Sequence, residues 1–471
     1  MNKKCQVFTP ENYVKELLDS VGYTQHLYGK KILENSCGDG NVLVAIVQRY
    51  IDDCVANGLS RTRIKNGLGR DIYGVEIDPE QYYKCIENMN QVLQRNNING
   101  VEWKVFNVDY LRWNIKRQFQ FIVGNPPYIT YSELKRGEQE YVKETFETCV
   151  KGKFDYCYAF IEKSIKELAK DGRMAYLIPS SIFKTVFGLN LRNYMKPYVS
   201  VIKDYTQEKV FDNALVKSSI MVLDMQRKQD VLHYKDMTLE TGMDIPANKL
   251  KDKWFFTENL ANGMHRFGDY FKVSHVVATL LNQAYVIKEE EYQETEQGFL
   301  CNGHNIERDV VRDTATPRSL RYHKNEKIIF PYVYDEGHLI RFEEEEFETK
   351  YPGAAAYLND FRDALNKRQS DTGARWYEYG RSQALVGLDS DKLLMSTVIT
   401  DNVVVYRLTR ECIPYAGMYI IRCEGNNEYT LEDAIHILES RDFRQYVLDV
   451  GIHISGSSLR ITSKDVEEYK F

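Results

Sequence analysis

Asn125-Pro126-Pro127-Tyr128 follows the apolar run Phe121-Ile122-Val123-Gly124 and is the segment of the chain best suited to chemistry. A strand that runs into an amide, two prolines and an aromatic ring ends rigidly, because each proline fixes φ and removes a backbone donor. The Asn125 side-chain oxygen and the Pro126 carbonyl would then form a fixed pair of acceptors aimed at one NH2 group, with Tyr128 covering the planar ring that carries it. A plain strand terminator also accommodates two prolines, but it does not need Asn and Tyr at their flanks.

Three other segments end in carboxylates. Ile32-Leu33-Glu34-Asn35-Ser36-Cys37-Gly38-Asp39-Gly40 reads as a strand with an acidic tip and a glycine-containing turn that lets a ligand approach the backbone. Many such turns are merely tight. Tyr73-Gly74-Val75-Glu76-Ile77-Asp78-Pro79 again ends in acids, where one carboxylate can accept both hydroxyls of a ribose. Asn107-Val108-Asp109 offers a third, suited to an exocyclic amine such as that of adenine. Each acid could instead be a helix N-cap. Together, polar tips on successive strands suit a nucleoside lying across the switch point of a parallel sheet.

The elements that must hold these residues follow from periodicity. Short apolar runs at 31–34, 73–77, 102–106, 119–123, 173–178, 200–205 and 218–225 alternate with amphipathic stretches at 42–50, 79–93 and 156–168. That alternation predicts a parallel sheet covered on both faces. Thr9 reads as the N-cap of a first helix, with Pro10 at its first position and Val14, Leu17, Leu18 and Val21 on one face. The connection from 206 to 217 is too short for a crossover helix, so the last two strands should be antiparallel, giving a reversed edge strand. Beyond Gln226 the texture turns irregular and rich in Tyr, Arg and His, with strand-like runs at 327–333 and 403–408. A second domain should begin between Gln226 and Gly268. The runs Glu289–Glu291 and Glu343–Glu346 read as solvated faces.

Composition bounds the possibilities. The 471 residues are 43% hydrophobic, enough for two to three packed domains. The 62 Lys and Arg against 68 Asp and Glu give a net charge of −6, which announces no nucleic-acid partner yet leaves room for a basic face. Nine Cys lie scattered without a CxxC pair or zinc spacing, which predicts free thiols, no structural metal and a cytoplasmic location. No signal-peptide core and no apolar run of about 18 residues appears, so no membrane association is expected.

Asn-Pro-Pro-Tyr after such a strand, preceded by the turn from Glu34 to Gly40, resembles the S-adenosylmethionine-dependent amino-methyltransferases of DNA adenine. Thr9-Pro10 before the first helix, the Gly74 to Asp78 strand end and the large C-terminal region resemble in particular the TaqI-like, gamma-class group of restriction-modification type. The resemblance is strong over 6–225. Farther on it is carried by segments such as 327–332, 350–357, 376–383 and 456–462. It implies an α/β fold with a Rossmann-like seven-stranded S-adenosylmethionine-dependent methyltransferase domain over 1–250. A mixed α+β target-recognition domain would follow over 262–471.

The resemblance also implies roles. Thr9 would contact the methionine end of S-adenosylmethionine, Glu34, Ser36, Gly38 and Gly40 would line its pocket, Glu76 would hold the ribose and Asp109 the adenine amine, with Phe160 packed on the adenine. Asn125, Pro126, Pro127 and Tyr128 would be catalytic, and Tyr128 and Phe211 would sandwich the target base. Phe160 and Phe211 have ordinary core readings as well. Ser36 departs from the Ala or Gly of many related turns but keeps a small residue. The implied partner is double-stranded DNA, methylated at adenine N6 without a metal, with a separate restriction endonuclease as functional counterpart. Alternative readings are a protein glutamine N5-methyltransferase, cytosine amino-methylation, for which Ser-Pro-Pro is the more usual motif, and a noncatalytic DNA-reading subunit.

Cations for DNA phosphates would come from Arg308, Arg312, Arg318, Arg321, Lys324 and Lys327, from Arg368, Arg375 and Arg381, and from Arg460 and Lys464. Tyr322, His323, Trp376, Tyr377 and Tyr379 interleave them. The segment from Thr130 to Lys153 reads either as a loop over the target strand or as a surface helix of mixed charge.

Overall fold

The computed structural model describes residues 9–116, 118–206, 210, 217–227, 230–257 and 263–471. The chain divides into two compact units, Met1–Phe256 and Thr257–Phe471.

The first unit is built on a sheet of β1 (Ile32–Glu34), β2 (Ile72–Val75), β3 (Lys104–Phe106), β4 (Phe119–Gly124), β5 (Leu168–Pro179), β6 (Val199–Asp204), β7 (Ser218–Asp224), β8 (Val231–Asp236) and β9 (Thr241–Pro246). Its order is β3-β2-β1-β4-β5-β7-β6-β8-β9. β1 to β5 pair in parallel, and β7 runs antiparallel to both β5 and β6. The Rossmann-like sheet of seven strands is therefore present, extended by the β8–β9 hairpin to nine. The reversed strand is not at the edge. β7 inserts between β5 and β6 and pairs antiparallel with both.

Both faces of the sheet are buried, and strand alternation divides the core. Ile32 packs with α1 (Glu11–Ser20), α2 (Asn41–Ala56), α3 (Arg61–Asp71) and α4 (Pro79–Arg95), whereas its neighbour Leu33 packs with α5 (Arg136–Thr145), α6 (Cys157–Glu167) and α7 (Leu189–Met195). Each fully buried Leu or Ile of these layers contributes on the order of 1.5–3 kcal/mol relative to exposure.

α1 begins one residue later than expected. Pro10, not Thr9, is the N-cap, because its carbonyl accepts the first helical bonds from the Tyr13 and Val14 amides, both at 3.0 Å. α4 begins as its sequence requires, with Asp78 accepting from the Glu80 and Gln81 amides and Pro79 at the first position.

The second unit mixes small sheets and short helices. Phe271–His275, Met418–Arg422, Lys392–Met395 and Val405–Leu408 form one antiparallel sheet, and Val286–Lys288, Glu326–Ile329, Val311–Ala315 and Ile413–Pro414 form another. The expected strand over 327–333 is two strands, Glu326–Ile329 and Tyr332–Asp335, since Pro331 cannot continue a ladder. The run Glu343–Glu346 is exposed, as expected of a solvated face. It opens the helix Glu344–Lys350, where acids suit the dipole, and Glu343 and Glu344 bind Arg375 and Arg362. No helix among the described residues is long and apolar enough to cross a membrane.

Candidate functional site

The carboxyl ends of β1, β2 and β4 bring most of the sequence-derived candidates together. β1 pairs with β4 on one side and β2 on the other, so Glu34, the β1–α2 turn, Glu76 and the Asn125 tetrad emerge along one edge of the sheet.

Two glycines make the turns feasible. Gly124 ends β4 at φ 155°, where an added Cβ would lie 3.6 Å from the Glu34 side chain. Gly40 caps α2 at φ 92°, and a Cβ there would come within 2.8 Å of Cys85 Sγ and 3.2 Å of Cys85 Cα. Only a residue without Cβ fits both the left-handed backbone and the approach of α4.

The polar side chains then fall into two groups. Some fasten the edge. Ser36 Oγ donates to the Asn125 carbonyl at 3.1 Å, joining the turn directly to the tetrad. Tyr128 O–H donates to the Leu177 carbonyl on β5 at 2.8 Å, which fixes the ring of the half-buried tyrosine. Glu76 accepts the Gly38 amide on one oxygen and the Asp78 amide on the other, both at 2.8 Å. Asn35 Nδ2 donates to Ser164 Oγ at 2.9 Å and to the Tyr176 hydroxyl.

Other atoms are left over. Glu34 Oε2, Asn35 Oδ1 and Asp39 Oδ1 are buried acceptors with no hydrogen-bond partner among the described residues. An orphaned buried acceptor costs about 1–3 kcal/mol, so a cluster of them calls for an explanation. Burial raises the Glu34 carboxyl well above the ordinary carboxylate range, reinforced by Cys85 and the nearby Glu76. Burial also raises Glu76 and Asp39, partly offset by the amides each accepts. Asn35 and Asp39 have no role in the motif reading, although they stand inside the segment that drew attention; a polar residue at each step of a strand-to-helix turn was the available signal.

The remaining candidates are placed as follows. Thr9 is buried just before α1. Asp109 accepts the Leu111 amide at 2.9 Å and pairs with Arg112 at 2.6 Å, so it anchors its own turn while keeping unused lone pairs. Phe160 is buried on α6 with its ring centroid 5.2 Å from Tyr110, inside the helical layer. Pro126 is buried and Pro127 half-buried. Phe211 lies outside the described residues. The segment from Thr130 to Lys153 contains α5, a helix of mixed charge.

Residues 54–211 match the Eco57I restriction-modification methylase family. This unit is related to the restriction-modification methylases. The chain is 25% identical over 375 residues to the type II restriction enzyme and methyltransferase RM.Eco57I of Escherichia coli, covering 69% of this chain and 37% of that protein. It is 29% identical over 224 residues to the type II methyltransferase M.BstVI of Geobacillus stearothermophilus, covering 44% and 39%. The matches thus span less than half the length of these curated relatives. Among solved structures, the type IIL restriction-modification enzyme MmeI in complex with DNA shares the fold over 97% of this chain and 64% of its own, with a TM-score of 0.60 at 15% identity.

Most of the proposed phosphate contacts in the second unit have internal partners instead. Arg308 donates to the Thr295 carbonyl, Arg312 to the Asp309 carbonyl, and Lys327 pairs with Asp313 at 2.7 Å. Arg375 pairs with Glu343, Arg381 with Asp371, and Arg368 donates to the carbonyls of Leu365, Trp376 and Glu378. Tyr377 and Tyr379 are buried. No group of three or more His, Cys, Asp or Glu able to hold a metal occurs among the described residues.

Proposed function

We propose that the chain is a site-specific DNA methyltransferase that modifies the N6 amino group of an adenine turned out of duplex DNA, within a restriction-modification system. The observation that carries the reading is the fastening of the Asn125–Tyr128 tetrad to the β1–α2 turn through Ser36, beside orphaned acceptors and the carboxylate of Glu76.

S-adenosylmethionine fits this edge, and when bound it supplies an electrophilic methyl group. Glu76, whose two oxygens are already oriented by the Gly38 and Asp78 amides, has lone pairs for vicinal ribose hydroxyls. Glu34 and Asp39 present acceptors to a donor-bearing ligand, Asp109 to an adenine amine, and Thr9, Ser36, Gly38, Gly40 and Phe160 complete the proposed surroundings.

The amine of adenine is paired and stacked in a duplex and cannot be reached there, so the base must leave the helix. Extrusion costs a few kcal/mol, and stacking on an aromatic ring returns about 1–3 kcal/mol per base. Tyr128, held at Leu177, offers one ring, and Phe211 is the proposed second. The Asn125 side-chain oxygen and the Pro126 carbonyl accept from the two amine hydrogens. This favours a pyramidal nitrogen with an available lone pair and stabilises the positive charge that grows on it. Orientation in a fixed near-attack geometry supplies much of the remaining acceleration. The surplus proton passes to water.

Double-stranded DNA is the proposed partner, and MmeI, whose fold extends through both units, was solved in complex with DNA. Region 1–250 would bind the cofactor and perform the transfer, and region 262–471 would recognise the target. Transfer of labelled methyl to duplex DNA followed by nucleoside analysis tests the proposal. N6-methyladenine is expected; label in protein glutamine, in cytosine, or nowhere contradicts it.

A further inference from the structure

The segment Thr314–Asn325 of the second unit, TATPRSLRYHKN, contains no carboxylate. The cations on either side of it are paired, Arg312 with Glu411 and Lys327 with Asp313. The acids that bracket it are engaged elsewhere: Asp313 holds Lys327 at 2.7 Å, and Glu326 accepts the Tyr415 hydroxyl at 2.9 and 3.0 Å. Arg318, Arg321 and Lys324 are exposed, and none of their side chains has a hydrogen-bond or ion-pair partner among the described residues. Tyr322, between them, is 60% exposed.

The backbone that presents these side chains is rigid. Thr316 caps the helix Pro317–Arg321 through a reciprocal bond with Ser319, and the Thr316, Ser319 pair is buried. Leu320 packs against Ala315, Leu394, Leu408 and Cys412. At the other end the Lys324 amide reaches back to the Ser319 carbonyl at 2.9 Å and the His323 amide to Leu320 at 3.2 Å, which places His323 in the left-handed region at φ 51°. This is the geometry usually given to Gly at the end of a helix. With Thr316, Ser319 and Leu320 turned inward, Arg318, Arg321, Tyr322, His323 and Lys324 are turned outward.

We infer that the turn 317–324 grips the phosphate backbone of duplex DNA, with Arg318 and Arg321 as successive phosphate contacts and Lys324 as a third. The inference rests on the proposed DNA methyltransferase reading and names the element by which the second unit holds its substrate. Arg318 and Arg321, at i and i+3, lie about one helical turn apart, roughly 5–6 Å between Cβ atoms, and guanidinium forks match phosphate oxygens. Cations already bound to carbonyls or carboxylates would have to break those bonds to reach a phosphate; these three would not.

The test is equilibrium binding of the full chain to a mixed-sequence DNA duplex, followed by fluorescence anisotropy over a series of salt concentrations. Each lost phosphate contact lowers the slope of log K against log[salt] by about 0.9. Arg318→Ala/Arg321→Ala/Lys324→Ala should therefore flatten the slope by about three and weaken binding roughly 10- to 1000-fold at moderate salt. Arg321→Gln alone should flatten it by about one. Lys272→Ala/Lys367→Ala/Arg441→Ala removes the same charge from exposed positions elsewhere in the unit and should leave the slope unchanged. Equal flattening by both triple variants, or by neither, overturns the assignment. Failure of the unaltered chain to bind any duplex at low salt would instead sink the DNA-methyltransferase reading itself.

Discussion

The sheet edge at the ends of β1, β2 and β4 and the network around Glu378 are both buried and polar, yet they are finished differently. Glu378 is almost fully buried, and its carboxylate receives Arg341 Nε at 2.7 Å and the Arg375 amide at 2.8 Å. Nearby, Arg368 is saturated by carbonyls, and the Tyr285 hydroxyl donates to Tyr377 and Glu378 carbonyls at 3.0 and 2.9 Å. At the sheet edge, three buried acceptors have no partner among the described residues. The first network satisfies itself; the second leaves acceptors that water or a ligand can complete. The same distinction separates the paired arginines of the second unit from the exposed turn at 317–324.

The contrast can be broken first at the tetrad. Asn125→Ala should lower single-turnover methyl transfer by about 10²-fold or more, the scale seen when one preorganised polar contact to a reacting group is lost. Its melting temperature should stay near that of the unaltered protein. Near-normal turnover would remove Asn125 from the mechanism.

Gly40→Ala should cost about 3 kcal/mol in chemical denaturation, because a Cβ at φ 92° meets the Cys85 backbone as well as its sulfur. Glu378→Gln acts on the satisfied network and should cost about 2 kcal/mol, less than a fully buried pair, since the Arg341 side chain is 43% exposed. Its cofactor affinity should not change, which is the sharper half of the comparison.

Smaller effects lie in pH dependence. Glu34 has its folded-state carboxyl raised by burial, so the native state binds more protons than the unfolded chain above the ordinary carboxylate range. Stability should fall as pH rises from about 4.5, and Glu34→Gln should remove that part of the fall, seen as a melting-temperature gap that widens with pH. Lys392 is the opposite case. Buried beneath the carbonyls of Thr409, Arg410 and Cys412, it is lowered to about 8 by burial. The unfolded chain then binds more protons above pH 8, and stability should rise with pH from about 8 toward 10.5. Lys392→Met should flatten that rise in the same measurement.

The first unit was legible because its signals are local and repeated. Strands such as Phe119–Gly124 and helices such as Pro79–Arg95 lie within a residue or two of where apolar spacing and Asp78-Pro79 put them. The placement of β7 was not legible, since strand order depends on which sheet edge is free rather than on the strand's own residues. β8 and β9 escaped inclusion in the sheet because the polar stretch after Gln226 resembles a domain boundary. In the second unit, sequence proximity grouped Arg312, Arg318 and Lys327 as equivalent cations. Only the fold shows that Asp313, far from any helical spacing with Lys327, claims one of them across two paired strands. At the site, the motif residues were visible by type, whereas the Ser36–Asn125 and Tyr128–Leu177 bonds join segments distant in sequence and could not be read from spacing.

The central claim is that the polar sheet edge is the S-adenosylmethionine site, and the most direct test is calorimetric titration of the unaltered protein and Glu76→Ala with that ligand. Saturable one-to-one binding by the former, weakened at least roughly tenfold in the variant and mirrored by a smaller ligand-induced rise in Tm, is the expected result. Absence of binding by the unaltered protein, or equal affinity in both, would contradict it.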